Sequence, residues 1–118
     1  MPRPSDSAVV SLAPMLSVRR GVDAVAFYKA AFGATELFKI EDGGSVVAQL
    51  AVQGAQFWVA DESPPHHNFS PETLGGATAR IVLVVEDPKA CHARALAAGA
   101  KEVWPARCRR VVSVRSAA

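Results

Sequence analysis

Five pairs of adjacent residues hold the side chains that catalysis or metal binding commonly uses: His66-His67, Cys91-His92, and the acidic pairs Glu41-Asp42, Asp61-Glu62 and Glu86-Asp87. Each has a plainer reading. The tandem histidines follow Pro64-Pro65 without further ligands at fixed spacing, so they are expected as solvated loop residues. Cys91 and His92 fall in an Ala-rich helical stretch, where neighbours point about 100° apart and cannot act as nucleophile and base on one atom. Cys91 is expected as a small buried hydrophobe and His92 as a surface polar residue. The acidic pairs end predicted strands, where carboxylates serve turns and caps and consecutive side chains face opposite sides. No catalytic residue can be assigned on this basis.

A binding chemistry is better supported. Along SVVAQLAVQG, Val46, Ala48, Leu50 and Val52 share one face, and Val47, Gln49, Ala51 and Gln53 share the other. Along AQFWVADE, Phe57 and Val59 oppose Gln56, Trp58 and Ala60. A face covered by a helix should be uniformly apolar, whereas a ligand cleft is largely apolar with a few polar groups that orient the guest. Gln49, Gln56 and Trp58 are therefore the candidate ligand-binding residues, the rival being a sheet surface met by a partner subunit. Trp104 reads as a core or interface anchor.

The elements that must position these residues follow from pattern. Residues 1–10 are polar and aperiodic and are expected as a flexible lead-in. SLAPMLSVRR (11–20) predicts a strand. GVDAVAFYKAAFG (21–33) predicts an Ala-rich helix with Val22, Val25, Tyr28 and Phe32 at helical spacing and Gly33 as its stop. Residues 34–44 and 45–54 predict a hairpin turning at Asp42-Gly43-Gly44, and 55–62 a further strand. SPPHHNFSPETLGG (63–76) reads as a connecting loop. The pattern then restarts with a near-continuous apolar strand (77–87), a helix opened by Asp87-Pro88 and stopped by Gly99, and a strand from Lys101.

The halves look like copies. FGATEL (32–37) aligns with AGAKEV (98–103) at an offset of 66, which also lays LSV (16–18) on VLV (82–84). Module one (11–62) thus reads β-α-β-β-β, and module two (77–118) repeats it incompletely, short by about two strands. VVSV (111–114) could supply one of them.

Composition sets the outer bounds. With 118 residues and 50% hydrophobic content, residues 11–118 are expected to form a single domain with a real core. No apolar run reaches the roughly 18 residues of a membrane span, and no signal peptide pattern opens the chain, so a cytoplasmic protein with no membrane partner is expected. Two cysteines, Cys91 and Cys108, are too few for a disulfide framework. The net charge of +2 is unevenly placed: residues 1–100 hold eight Lys/Arg against ten Asp/Glu, and residues 101–118 hold five against one. Basicity confined to a tail is not the surface of a nucleic-acid binder.

The paired units, together with FYKAAFGA, VADE and VEDPKA…ALAAGAKEVWP, resemble the vicinal oxygen chelate (glyoxalase/bleomycin resistance) superfamily, and within it the PhnB-like glyoxalase-related group. The resemblance covers residues 11–105. It implies an α+β fold of paired βαβββ modules whose curled mixed sheets form a cleft for a metal, a small ligand or both. Metal-dependent members place His, Gln or Glu on the first and last strands of each module. The matching positions fall near Ala13, Phe57 and Arg80, none of which can give a lone pair to a divalent ion. Neither a metal nor a cofactor is therefore expected. The Gly-rich loop and final turn that the resemblance implies after Pro105 are absent, and the Arg-rich ending reads as a shifted frame or a truncated variant.

The function expected is a metal-free binder of a small aromatic or amphipathic ligand, acting as a homodimer because unpaired sheet edges recruit another chain. The alternatives are a metal-dependent lyase, isomerase or dioxygenase of the same superfamily, and an interaction protein using its basic tail.

Overall fold

The computed structural model describes residues 10–102, 111–112 and 114–115. Its larger sheet is built from β1 (Met15–Val18), β2 (Thr35–Asp42), β3 (Ser45–Val52) and β4 (Ala55–Asp61), in the order β1-β4-β3-β2. The β3 strand runs antiparallel to both β2 and β4, and β1 lies parallel to β4. A parallel neighbour cannot be reached by a tight turn, and α1 (Gly21–Phe32) follows β1 and covers one face of the sheet.

Local signals set the three connections from α1 to β4. Gly33 closes α1 in the left-handed region, its N–H donating to the Lys29 carbonyl. The β2–β3 turn is two residues long, and Gly43 and Gly44 have φ of 58° and 88°. Positive φ at both central residues is what the twist-matched hairpin turns require. The β3–β4 turn repeats this with Gln53 and Gly54 at 50° and 90°, a second tight hairpin without a double-glycine signal.

Alternation along the strands decides the core. Val46, Ala48, Leu50 and Val59 point to the α1 side and are fully buried against Ala24 and Val25. A second cluster joins Phe27 and Ala31 of α1 to Ala95 and Ala100. Helix α1 is thus buried on two sides, by the sheet and by α3 (Pro88–Ala97). Of the apolar residues at helical spacing, Val25 is buried while Val22 is 52% exposed, and Phe27 packs inward against α3.

Three other expectations differ from the structure. The connection 63–76 is not plain loop: it holds a 3-10 turn (Pro64–His66) and the one-turn helix α2 (Pro71–Leu74), capped by Ser70, whose Oγ accepts the Thr73 N–H. The strand expected over 77–87 narrows to β5 (Leu83–Val84), which among the described residues pairs with β7 (Val111–Val112) alone. Ile81 and Val82, without a ladder, stay more than half exposed, because β propensity needs a partner strand to act. VVSV supplies two short strands rather than one, since β8 (Val114–Arg115) pairs with β6 (Lys101–Glu102).

Helix α3 begins as expected, with Asp87 Oδ1 accepting the Ala90 N–H at 3.1 Å and Pro88 in the first turn. Arg94 crosses to α1 and donates from Nε to the Ala30 carbonyl at 2.9 Å. No helix among the described residues is long and apolar enough to cross a membrane. Trp104, Cys108 and the arginines at 107, 109 and 110 lie outside the described residues.

Candidate functional site

The sheet face turned away from α1 is the candidate site, and β2 shows why. In an ordinary half-covered sheet, apolar side chains point to the covered side. Here the registers Glu36↔Leu50, Lys39↔Ala48 and Glu41↔Val46 put the charged residues of β2 on the covered side, beyond the edge of α1. Glu36 is held there by Lys29 of α1 at 3.0 Å, and Lys39 pairs with Glu41 at 2.7 Å. Phe38 and Ile40, opposite Gln49 and Val47, therefore point to the open face, where they are 44% and 54% exposed.

Across that face one row runs Met15, Trp58, Gln49, Phe38 from β1 to β2. The next runs Ser17, Ala60, Val47, Ile40. Phe38 and Trp58 sit on either side of β3, and their rings meet over it, edge to face, with centroids 5.9 Å apart. With the space above its own Cβ taken, Gln49 turns along the sheet toward Gln56, two residues before Trp58 on β4. Its Nε2 donates to Gln56 Oε1 at 2.9 Å. The structure thus brings Gln49, Gln56 and Trp58 together on one face.

Phe38 is the member that sequence reasoning missed. The register shifts between Glu36 and Phe38, so Leu37 is an extra residue and strict alternation along TELFKIED is broken. From Phe38 onward FKIE does alternate, and that is the signal that could have found it.

The clusters set aside in the sequence have structural duties. Asp61 accepts the Gly21 N–H on Oδ1 at 2.9 Å and the Val46 N–H on Oδ2 at 2.6 Å, tying the start of α1 to β3. Glu62 accepts the Ser70 N–H at 2.8 Å and the Thr73 hydroxyl at 2.9 Å. The Ser70 N–H, then the Thr73 hydroxyl, hold its carboxyl below the usual carboxylate range. Asp87 is a helix cap, as described above. His66 and His67 are exposed, His66 Nδ1 sharing a hydrogen bond with Ser63 Oγ at 2.7 Å.

The Cys91/His92 expectation is reversed. His92 is 5% exposed and Cys91 only partly buried. Pro88, His92 and Ala95, at helical spacing, form the inward side of α3, and Cys91 falls beside that stripe. Burial pushes the Cys91 thiol up, away from the thiolate that a nucleophile requires.

The donor set does not fit a metal of the kind the resemblance implies. Ala13 has no donor atom, Arg80 is exposed with a guanidinium that has no lone pair to give, and Phe57 turns to the α1 side, where its ring meets Tyr28 at 5.2 Å. No group of three or more His, Cys, Asp and Glu that could hold a metal ion occurs among the described residues.

This architecture is the glyoxalase/bleomycin-resistance fold: a mixed α+β chain around a curled four-stranded mixed sheet. Two solved structures share it over most of this chain. A gene product of Arabidopsis thaliana superposes with a TM-score of 0.61 at 28% identity, covering 81% of this chain and 76% of its own. TioX from Micromonospora sp. ML1 superposes with a TM-score of 0.60 at 27% identity, covering 83% and 80%. These likenesses show the fold. Among curated proteins, an uncharacterized protein of Mycobacterium bovis is 36% identical over 98 residues, 79% of this chain. The chain spans 64% of the length of that relative. No protein-family profile matches the chain.

Proposed function

We propose that this chain binds a small aromatic or amphipathic molecule on the open face of the β1-β4-β3-β2 sheet, without a metal. The observation that carries the reading is the inversion of β2, which turns Phe38 and Ile40 outward and charged residues toward the helix side. Apolar side chains on the uncovered side are what a guest-binding surface needs, and Phe38 with Trp58 offers flat area on which a ring can lie. The donor-free side chains at Ala13 and Arg80 support binding without metal chemistry. Within the superfamily, the motifs quoted from the sequence favour the PhnB-like group.

The test is titration of the purified full-length chain with N-phenyl-1-naphthylamine, a neutral amphipathic fluorophore, with metal analysis of the same preparation. Saturable enhancement that weakens at least tenfold in Trp58→Ala supports the reading. Enhancement indifferent to that substitution, or a stoichiometric divalent metal in the protein, overturns it.

A homodimer is a second reading, favoured by the exposure of Met15, Phe38, Ile40 and Val47 on one face. Sedimentation of wild type and Ile40→Lys decides it: a dimer seated on this face becomes a monomer in the variant.

A further inference from the structure

We infer that the guest is a neutral planar heterocycle carrying a lactam-type edge, with N–H and C=O side by side. This rests on the open-face reading above and deepens it. Two observations lead there.

The first is the amide pair. An amide side chain has two N–H donors and a carbonyl oxygen with two lone pairs. The Gln49–Gln56 hydrogen bond uses one donor of the first and one lone pair of the second. No other hydrogen bond engages Gln49 Oε1 or Gln56 Nε2 among the described residues. Turning both amides over exchanges the roles and leaves the same result: one carbonyl oxygen on one glutamine and one NH2 on the other. A joined pair with a whole carbonyl oxygen unengaged on one amide and a whole NH2 unengaged on the other is complementary to a group that presents one donor and one acceptor on the same edge. A lactam or cyclic imide does this, whereas an ester, an ether or a bare hydrocarbon does not.

The second is charge. The two rows through Trp58 and Ala60 contain no ionisable side chain, and the row beyond them, Thr35, Ala51 and Gln56, contains none. Lys39 and Glu41 of β2 are on the other face, while Asp42, opposite Ser45, shares the open face at its hairpin end. Arg19, just past β1, is turned into the 63–76 connection, with Glu62 at 3.9 Å and Glu72 at 3.5 Å. Glu62 is turned into the 63–76 connection, where it holds Ser70 and Thr73. A charged guest laid on the Phe38–Trp58 row would lose water and gain no counter-charge within these three rows, since Asp42 and the already paired Arg19 stand at the far end of the face. A neutral ring loses little, lies against the Phe38–Trp58 pair, and brings its polar edge to the glutamines. Gln49 is already half-buried, so a guest that covers the pair also dries it and strengthens the hydrogen bonds made there.

The test uses three bicyclic probes of nearly equal size: 2-quinolinone, N-methyl-2-quinolinone and quinoline-2-carboxylate. Each is titrated calorimetrically into the full-length chain, into Gln56→Leu and into Trp58→Ala. The expected result is that 2-quinolinone binds about tenfold more tightly than its N-methyl form, which has lost the donor. That preference should fall to about unity in Gln56→Leu, and the carboxylate should bind more weakly than either. Gln56 is exposed, so its substitution leaves the core untouched. Equal affinity for the two quinolinones, a preference that persists in Gln56→Leu, or tighter binding of the carboxylate each overturns the lactam inference. If those results come with affinity that Trp58→Ala abolishes, the open-face reading survives. If no probe binds and Trp58→Ala changes nothing, both fall.

Discussion

The carboxylate of Asp61 accepts the backbone N–H of Gly21, forty residues earlier in the chain, at 2.9 Å. The same carboxylate takes the Val46 N–H, so one side chain at the end of β4 fixes the start of α1 and the start of β3 together. The approach is so close that Gly21 has no room for a side chain: a Cβ there would lie 2.3 Å from Val46 Cγ1 and 2.5 Å from Asp61 Oδ2. Gly21→Ala is expected to cost about 1–3 kcal/mol through overpacking. Asp61→Ala leaves two amides without their acceptor and is expected to cost about 2–4 kcal/mol. Urea unfolding of the two variants checks both, and the double variant should lose less than the sum, because the residues share one contact.

The turn between β3 and β4 makes an opposite prediction. Gln53 holds φ at 50°, where a β-branched or long side chain is uncommon and Asn or Gly is favoured. Asn-Gly is the preferred sequence for a two-residue hairpin turn of this hand. Gln53→Asn is therefore expected to stabilise the chain by about 0.5–1 kcal/mol. A rise in the thermal midpoint checks it, and an unchanged or lower midpoint counts against the strained-turn reading.

What the sequence disclosed and what it hid divide along one physical line. Features decided by nearest neighbours were legible: the Gly43-Gly44 turn, the Asp87-Pro88 helix start and the two faces of β3 needed only local chemistry and period. Features decided by a distant partner were not. The apolar run at 77–87 has strand propensity throughout, yet only Leu83 and Val84 find a ladder. Cys91 and His92 exchanged their expected places because the phase of α3 is set by its packing on Phe27 and Ala31, which no local pattern reveals. In the candidate site, Gln49, Gln56 and Trp58 followed from alternation, while Phe38 was hidden by the extra residue Leu37, which shifts the phase of β2.

Acid should weaken the 63–76 connection first. The folded-state pKa of Glu62 lies below its ordinary 4.5, chiefly because the Ser70 N–H and then the Thr73 hydroxyl favour the carboxylate. A depressed pKa contributes stability that is complete above the unfolded value and is lost as pH falls through the folded one. The window therefore opens near pH 4.5 and extends downward. Glu62→Gln, which cannot ionise, should melt below wild type at pH 7, and the gap should shrink as pH falls below 4.5 and close once wild type is protonated. A gap that stays constant from pH 7 to pH 3 would show that the carboxylate charge contributes nothing to holding the connection.

The joint between α1 and α3 is the place where the second half of the chain is secured to the first. Ala31 and Ala95 are both fully buried there beside Phe27, so the two helices approach as closely as methyl groups allow. Arg94 adds a hydrogen bond to the Ala30 carbonyl, in the last turn of α1, where carbonyl oxygens are short of partners and positive charge is favoured. Ala95→Leu adds three carbons to a site without space and is expected to cost about 1–3 kcal/mol. Arg94→Ala removes an exposed bond and is expected to cost about 0.5–1.5 kcal/mol. The contact does not touch the four-stranded sheet, so hydrogen exchange should separate the two effects. In Ala95→Leu the amides of α3 should lose protection first, while those of β3 and β4 keep theirs. If β3 and β4 lose protection equally, the halves unfold as one unit and α1 transmits every perturbation at this joint straight into the sheet.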